Sequence, residues 1–319
     1  MSSSKGIIVV ALGGNAISNP NEEGNIDQQF QHSRETAELL CEAAARGYQL
    51  VITHGNGPQV GNVLRRAEIA SGELYMIPLD ICVADTQAGM GYMIGQCISN
   101  EMLKRGNKKQ VATIVTSVVV DHNDSAFTNP TKPIGRYMNR EDAQKHENED
   151  GWIMKEVENG KYRRVVASPP PLEIVELPLI RSLVEDDSMV IACGGGGIPV
   201  IRDANGFLKG TPAVIDKDRT SSLLARNLGA DLLIILTAVK YVYINWGKEN
   251  QEAVTLMTAQ QAMQYHKEGQ FPPGSMGPKI EAAVDFVNNS SNSEATAIIA
   301  ELSCFIEALN GNSGTRIVK

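Results

Sequence analysis

The sequence predicts an α/β fold built on an open, mainly parallel sheet, and three glycine-rich loops placed just past short apolar runs carry that reading. Gly13, Gly14 and Asn15 follow the run Ile7–Leu12, His54-Gly55-Asn56-Gly57-Pro58 follows residues 50–53, and Gly194, Gly195, Gly196 and Gly197 follow residues 189–193. Parallel strands of an open α/β sheet present their carboxyl ends at one edge, so the three loops are expected to meet in one crevice. Backbone N–H groups with no Cβ in front of them hold anions, and helices starting there add the positive ends of their dipoles. A crevice of this kind is suited to phosphate groups.

The remaining elements follow in chain order. Residues 31–46 carry helical spacing and close on Gly47 before a strand at 49–53, which makes a βαβ unit. Residues 58–70 and 80–105 read as helices, and the β-branched run 111–120 reads as one long strand of the core sheet, buried on both faces. From 121 to 171 the composition turns charged and ends on Pro169, Pro170 and Pro171, which marks an excursion from the sheet able to act as a lid. Within it, 152–157 and 161–166 flank Asn159-Gly160 and predict a hairpin closed by a type I′ turn. A helix running from Leu172 toward Met189, a helix over 220–228 capped by Gly229 and a buried strand at 232–236 come next. A short extended piece at 241–245 and a helix at 258–267 with Thr258 as N-cap follow. Pro278 is expected at the first position of the next helix, whose apolar stripe is Ile280, Ala283, Val284 and Val287. A strand at 296–300, a helix at 302–309 and a strand at 315–318 complete the sheet.

Composition narrows the function. The 319 residues, 42% hydrophobic and 21% charged, suit one large α/β domain or two moderate ones, and a net charge of −8 argues against nucleic-acid or anionic-membrane partners. Five cysteines without a C-x-x-C pair read as reduced, packed thiols. The apolar run before Gly13 spans six residues, too short for a signal or membrane segment, so a cytoplasmic setting is expected. Neither G-x-x-x-x-G-K-[ST] nor G-x-G-x-x-G is present, and the five histidines lack metal-ligand spacing. His54 alone lies in a crevice loop, where it either acts directly or shapes the loop.

Three lysines are the sharper signals. Lys279 sits in the first turn of a helix, where a cation is unfavourable by about 0.3–1 kcal/mol unless an anion binds beside it. Lys217 lies between Asp216 and Asp218 where a strand turns into a helix, and Lys132 is stiffened between Pro130 and Pro133. Anion-binding backbone, lysines and an aspartate are the parts of phosphoryl transfer, which needs charge neutralisation and in-line geometry but no covalent nucleophile. Asp218 is placed to position the two neighbouring lysines. Mg²⁺ is expected on the nucleotide phosphates and water rather than on a protein ligand set. Met276, Tyr243 and Val242 are candidates to pack an adenine ring, or are ordinary core.

The strings at 11–16, 53–61, 192–199, Ile215-Asp216-Lys217-Asp218 and 274–279 resemble those of the carbamate kinases of the amino-acid-kinase superfamily, in order over nearly the whole chain. The resemblance implies a three-layer αβα sandwich with a mainly parallel sheet of about eight strands. It implies one domain over 1–319, with a carbamate and phosphoryl side in the N-terminal half and a nucleotide side from about 213 to 319. A small protruding subdomain would span 123–170. The implied reaction is ATP with carbamate giving ADP and carbamoyl phosphate, with Mg²⁺, in a homodimer, commonly run toward ATP in the arginine deiminase route. Carried over residue by residue, Gly13, Gly14 and Asn15 would hold the transferred group, and Gly55, Asn56 and Gly57 would share it with carbamate. The Gly194 to Gly197 loop would close the substrate pocket. Lys132, Lys217, Asp218 and Lys279 would be catalytic, with Lys217, Tyr243, Met276, Gly277 and Lys279 on the nucleotide. The alternatives are a sibling kinase acting on acetylglutamate, glutamate, aspartate or UMP, and a nucleotide sensor without turnover. A sensor would tolerate loss of the lysines, all of which are present.

Overall fold

The central sheet of the computed structural model, which describes residues 5–14, 17 and 22–319, has eight strands. From one edge to the other they are Leu256–Thr258, Thr315–Val318, Thr296–Glu301, Leu232–Thr237, Ile7–Leu12, Gln49–His54, Met189–Ile191 and Val111–Thr113. Every pairing is parallel except that of Thr296–Glu301 with Thr315–Val318. Ile7–Leu12 lies at the centre, with Val9 opposite Leu233 on one side and Val51 on the other.

Helices cover both faces, which is why the inner strands are apolar without alternation. Ile8, Val10 and Leu12 pack with Leu50, Ile52 and residues of helices Ile26–Ala45, Leu79–Lys104 and Phe305–Leu309. On the other face Val9, Ala11 and Val51 pack with helices Leu177–Glu185, Lys217–Leu228, Ala259–Lys267 and Met276–Asn289. The result is the expected three-layer αβα sandwich. Among the described residues no helix is long and apolar enough to cross a membrane. The five cysteines are free thiols, four of them buried.

The excursion forms its own three-stranded antiparallel sheet, Lys132–Met138, Lys161–Val166 and Met154–Glu158, beside helix Arg140–Asp150. Its small core of Met138, Ala143 and Met154 is separate. Ile134 and Val166 instead pack against Val60, Leu64 and Val83 of the main body.

Four local expectations are corrected. The run 111–120 is not one buried strand: Val111–Thr113 is a half-exposed edge strand, and Ser117–Val119 joins a different sheet beside Ile198–Arg202. The break falls where the Thr116 N–H leaves the ladder to donate to Gln87 Oε1 at 2.6 Å. The hairpin forms, but only Gly160 has a positive φ (+70°), so the turn is not type I′. The helix expected from Leu172 begins at Leu177, because Glu173–Ile174 pairs with Ser117–Val119. Helix Met276–Asn289 starts two residues before Pro278, which therefore occupies the third position, still within the turn whose N–H groups have no helical partner.

Candidate active site

The carboxyl ends of the parallel strands open into a cavity of about 350 Å³. Gly13, Gly14, Gly55, Asn56, Gly57 and Gly195 line it, so the three glycine loops do converge. Asn15 lies outside the described residues. Gly194, Gly196 and Gly197 are buried and do not line it. Close approach explains two of these glycines. A Cβ at Gly13 would stand 2.7 Å from the Leu236 carbonyl oxygen, and one at Gly195, where φ is +68°, would stand 2.2 Å from Asn56 Nδ2. The third loop is tied down by Gln87 Nε2 donating to Gly194 O at 2.8 Å and Thr220 Oγ1 donating to Gly196 O at 2.9 Å.

Among the described residues three helices begin at the cavity: Gly57–Ala70, Lys217–Leu228 and Met276–Asn289. The first and third have no side-chain cap, which leaves N-terminal donors for an anion. The second is capped by Asp216, whose Oδ1 accepts from Asp218 N at 2.9 Å and Arg219 N at 3.4 Å. That cap fixes Lys217 and Asp218 as the first two helical residues, both directed by the backbone toward the cavity.

Asp218 is the electrostatic centre. Its Oδ1 accepts from Lys217 Nζ at 2.5 Å and its Oδ2 from Lys279 Nζ at 2.8 Å. Burial by itself would push the Asp218 carboxyl up, but the two ammonium groups overcome this and hold it well below the usual carboxylate range. For Lys217, burial outweighs Asp218 and, with the repulsion of Lys279, lowers its pKa from the ordinary lysine value. Lys279 is desolvated too, yet Asp218 wins there and its pKa is raised. Lys132, from the excursion's first strand, places Nζ 3.1 Å from Asp216 Oδ2. All three predicted lysines therefore line one cavity although 147 residues separate the first from the last.

A second cavity of about 270 Å³ shares Thr237, Ala238, Ser275 and Lys279 with the first. Tyr241, Tyr243, Trp246, Phe271, Pro272 and Met276 line it, with Trp246 tilted against Tyr243 at a ring separation of 5.2 Å. A charged chamber opening into an aromatic one matches a nucleotide's phosphates and base. Val242 is buried in the core and does not line this chamber. Gly277 is packed beneath the loop, where a Cβ would stand 3.0 Å from His266. Trp246 and Asp216 were not singled out from sequence. An isolated tryptophan in the polar stretch 245–250 was the available signal for the first, and a cap position directly before Lys217 for the second.

His54 is buried. Its Nδ1 lies 3.1 Å from Gly55 O, its Nε2 has no hydrogen-bond partner among the described residues, and burial pushes its pKa down to about 4. A Cβ on Gly194 would stand 2.3 Å from that Nε2, so the neutral ring is packed against the third loop rather than facing the cavity.

Fold and site together define a phosphoryl-transfer enzyme of the α/β class, and residues 6–300 match the amino acid kinase family. The chain belongs to that family, and carbamate kinases are among its end-to-end relatives. It is 44% identical to the carbamate kinase of Pyrococcus horikoshii over 313 residues, covering 97% of this chain and 98% of that one. Identity to the carbamate kinase of Thermococcus kodakarensis is 46% over 316 residues, covering 98% and 99%. The solved structure of carbamate kinase from Giardia lamblia bound to AMP-PNP superposes with a TM-score of 0.92 at 38% identity, covering 100% of both chains.

Proposed function

We propose that this kinase catalyses reversible phosphoryl transfer between ATP and carbamate, with ADP and carbamoyl phosphate on the other side. The observation that carries the reading is the placement of Lys217 and Lys279 on one carboxylate, Asp218, beside the junction of a glycine-lined polar cavity and an aromatic one. Full-length likeness to carbamate kinases supports the choice of acid. A chamber walled by Gly13, Gly14, Gly55, Gly57 and Gly195 also leaves space for a small planar anion while supplying N–H donors.

In the ATP-forming direction the nucleotide base would occupy the chamber of Tyr243, Trp246 and Met276, with the ADP phosphates reaching past Ser275 and Lys279. The phosphoryl group of carbamoyl phosphate would rest on the N–H groups of the first two glycine loops. A terminal oxygen of ADP forms the new P–O bond as the bond to carbamate breaks, and carbamate leaves as an anion with the bonding pair. No side chain need be phosphorylated. Lys132, Lys217 and Lys279 would neutralise the oxygens of the moving group, the stabilisation that preorganised charge supplies best. Both Asp216 and Asp218 are already committed to lysines, so the donor set fits Mg²⁺ held through nucleotide phosphates and water. Bound there, Mg²⁺ supplies charge neutralisation between the phosphates.

Homodimeric assembly, a cytoplasmic setting and use in arginine breakdown complete the proposal as what the family resemblance implies, and light scattering of the purified chain tests the dimer. The central test is ATP formation from MgADP and carbamoyl phosphate, with acetyl phosphate, N-acetylglutamyl phosphate, aspartyl phosphate and UDP assayed in parallel. Fast turnover confined to carbamoyl phosphate is expected. Turnover with another donor would move the function to a sibling kinase, and ADP binding without turnover would favour a sensor.

A further inference from the structure

We infer that Asp216 is a positioning residue, a latch that fixes the Lys132 ammonium of the protruding sheet at the mouth of the cavity. The inference rests on the phosphoryl-transfer reading above but gives Asp216 a task in the transfer site that the reading does not assign. The two oxygens of Asp216 divide their work. Oδ1 caps helix Lys217–Leu228 through Asp218 N and Arg219 N, and Oδ2 accepts from Lys132 Nζ at 3.1 Å. The cap decides where the second oxygen points. A carboxylate anchored to two backbone N–H groups cannot turn freely, so the Lys132 partner inherits the position of the helix end that also sets Lys217 and Asp218.

Lys132 needs such a partner. It enters from a separate sheet whose own core is small, and its long side chain loses much rotamer freedom when held in one place. Its second contact, to Ile215 O, is long at 3.5 Å. The pair is neither fully buried nor free in solvent, with side-chain exposures of 26% and 24%. An incoming phosphoryl group can therefore compete for the ammonium without dismantling a sealed ion pair. Asp216 thus orders Lys132 before substrate arrives and keeps the protruding sheet over the cavity, leaving the transfer step to Lys132 itself.

Asp216→Asn separates the two tasks, because asparagine caps a helix as well as aspartate does but carries no charge for Lys132. Asp216→Ala removes both. For Asp216→Asn the expected result is a melting temperature close to wild type, kcat lowered roughly ten- to a hundredfold and the KM for ADP little changed. In a cycle with Lys132→Ala the double variant should turn over no more slowly than Lys132→Ala alone, since the latch has then lost its object. Hydrogen exchange gives the readout that does not depend on turnover: strands Lys132–Met138 and Lys161–Val166 should exchange faster in Asp216→Asn, while the central sheet is unchanged. Multiplicative losses in the cycle, a wild-type or raised kcat in Asp216→Asn, or unaltered exchange of the protruding sheet would overturn the latch. Absence of carbamoyl phosphate turnover in wild type would instead sink the functional reading, and the exchange comparison would still decide the role of Asp216.

Discussion

Lys279 Nζ lies 2.8 Å from Asp218 Oδ2 although 61 residues separate the two in sequence. Asp218 sits at the second position of one helix and Lys279 in the opening turn of another, so the pair joins two helix ends at one point beside the cavity. Lys217 takes the other oxygen of the same carboxylate. One buried negative charge thus holds two ammonium groups that would otherwise repel each other.

Asp218→Asn should therefore damage both stability and chemistry. Breaking a buried ion pair from one side commonly costs about 3–5 kcal/mol because the partner charge is left uncompensated. The Asp218 carboxyl titrates below its ordinary value of about 3.9 in the folded chain, so its stabilisation is present above that value and is lost as pH falls further. Denaturant melts should show Asp218→Asn less stable at pH 7, with the gap from wild type narrowing in acid. A constant gap down to pH 2, or an undamaged kcat, would refute the assignment.

Lys217 should set the alkaline limit of nucleotide binding. Burial lowers its pKa from the ordinary lysine value near 10.4, whereas that of Lys279 is raised. As pH rises, Lys217 is the first of the two to lose the charge that attracts phosphate. Calorimetric titration with ADP should show affinity falling at a pH below the ordinary lysine range. In Lys217→Arg, whose guanidinium stays charged, that fall should move to higher pH. A fall left in place by the arginine variant would assign it to another group.

Trp246 should report nucleotide occupancy directly. It is one of two tryptophans in the chain and lines the aromatic chamber, while Trp152 lies between helix Arg140–Asp150 and strand Met154–Glu158, beside His146 and Arg164. ADP should quench the Trp246 emission, and Trp246→Phe should abolish most of the change. Stacking of a base on an aromatic ring is worth about 1–3 kcal/mol, so Trp246→Ala should weaken ADP binding roughly tenfold or more. Unchanged affinity and unchanged quenching in these variants would place the base elsewhere.

The parts of this site that could be read from sequence are those whose residue type is dictated by geometry. Gly13 and Gly195 are such cases, because a Cβ would collide with Leu236 O or with the Asn56 amide. Lys279 is legible because a cation at a helix start calls for an anion, and Lys217 because it lies where a strand turns into a helix, whereas Lys132 rests on the family resemblance. The run 111–120 failed because β-branched composition marks extended chain but does not say which sheet receives it. The diverting contact, Thr116 N to Gln87, comes from a helix 29 residues earlier. Trp246 was obscured because its neighbours are polar loop, and the other wall of its chamber comes from Phe271, Pro272 and Met276. Asp216 is only a neighbour of Lys217 in the sequence, because its two tasks depend on Arg219 N and on Lys132, which sequence order alone does not bring to its two oxygens.

His54 should make the folded chain sensitive to mild acid without taking part in transfer. Its pKa is about 4 in the folded state because burial disfavours the imidazolium, against about 6.5 when unfolded. Between those values the unfolded chain binds the extra proton, so stability falls as pH drops from 6.5 toward 4 and is unaffected by this group above 7. The difference corresponds to a loss on the order of 3 kcal/mol at the lower end. Denaturant unfolding at pH 7.5 and pH 5 should show a larger acid loss in wild type than in His54→Gln. Turnover of His54→Gln at pH 7.5 should fall only as far as the third loop shifts, because the ring packs against Gly194 outside the cavity. Equal acid losses in the two proteins would show that other groups carry the effect. An inactive but fully folded His54→Gln with the glycine loops unmoved would mean that the imidazole acts in the reaction after all.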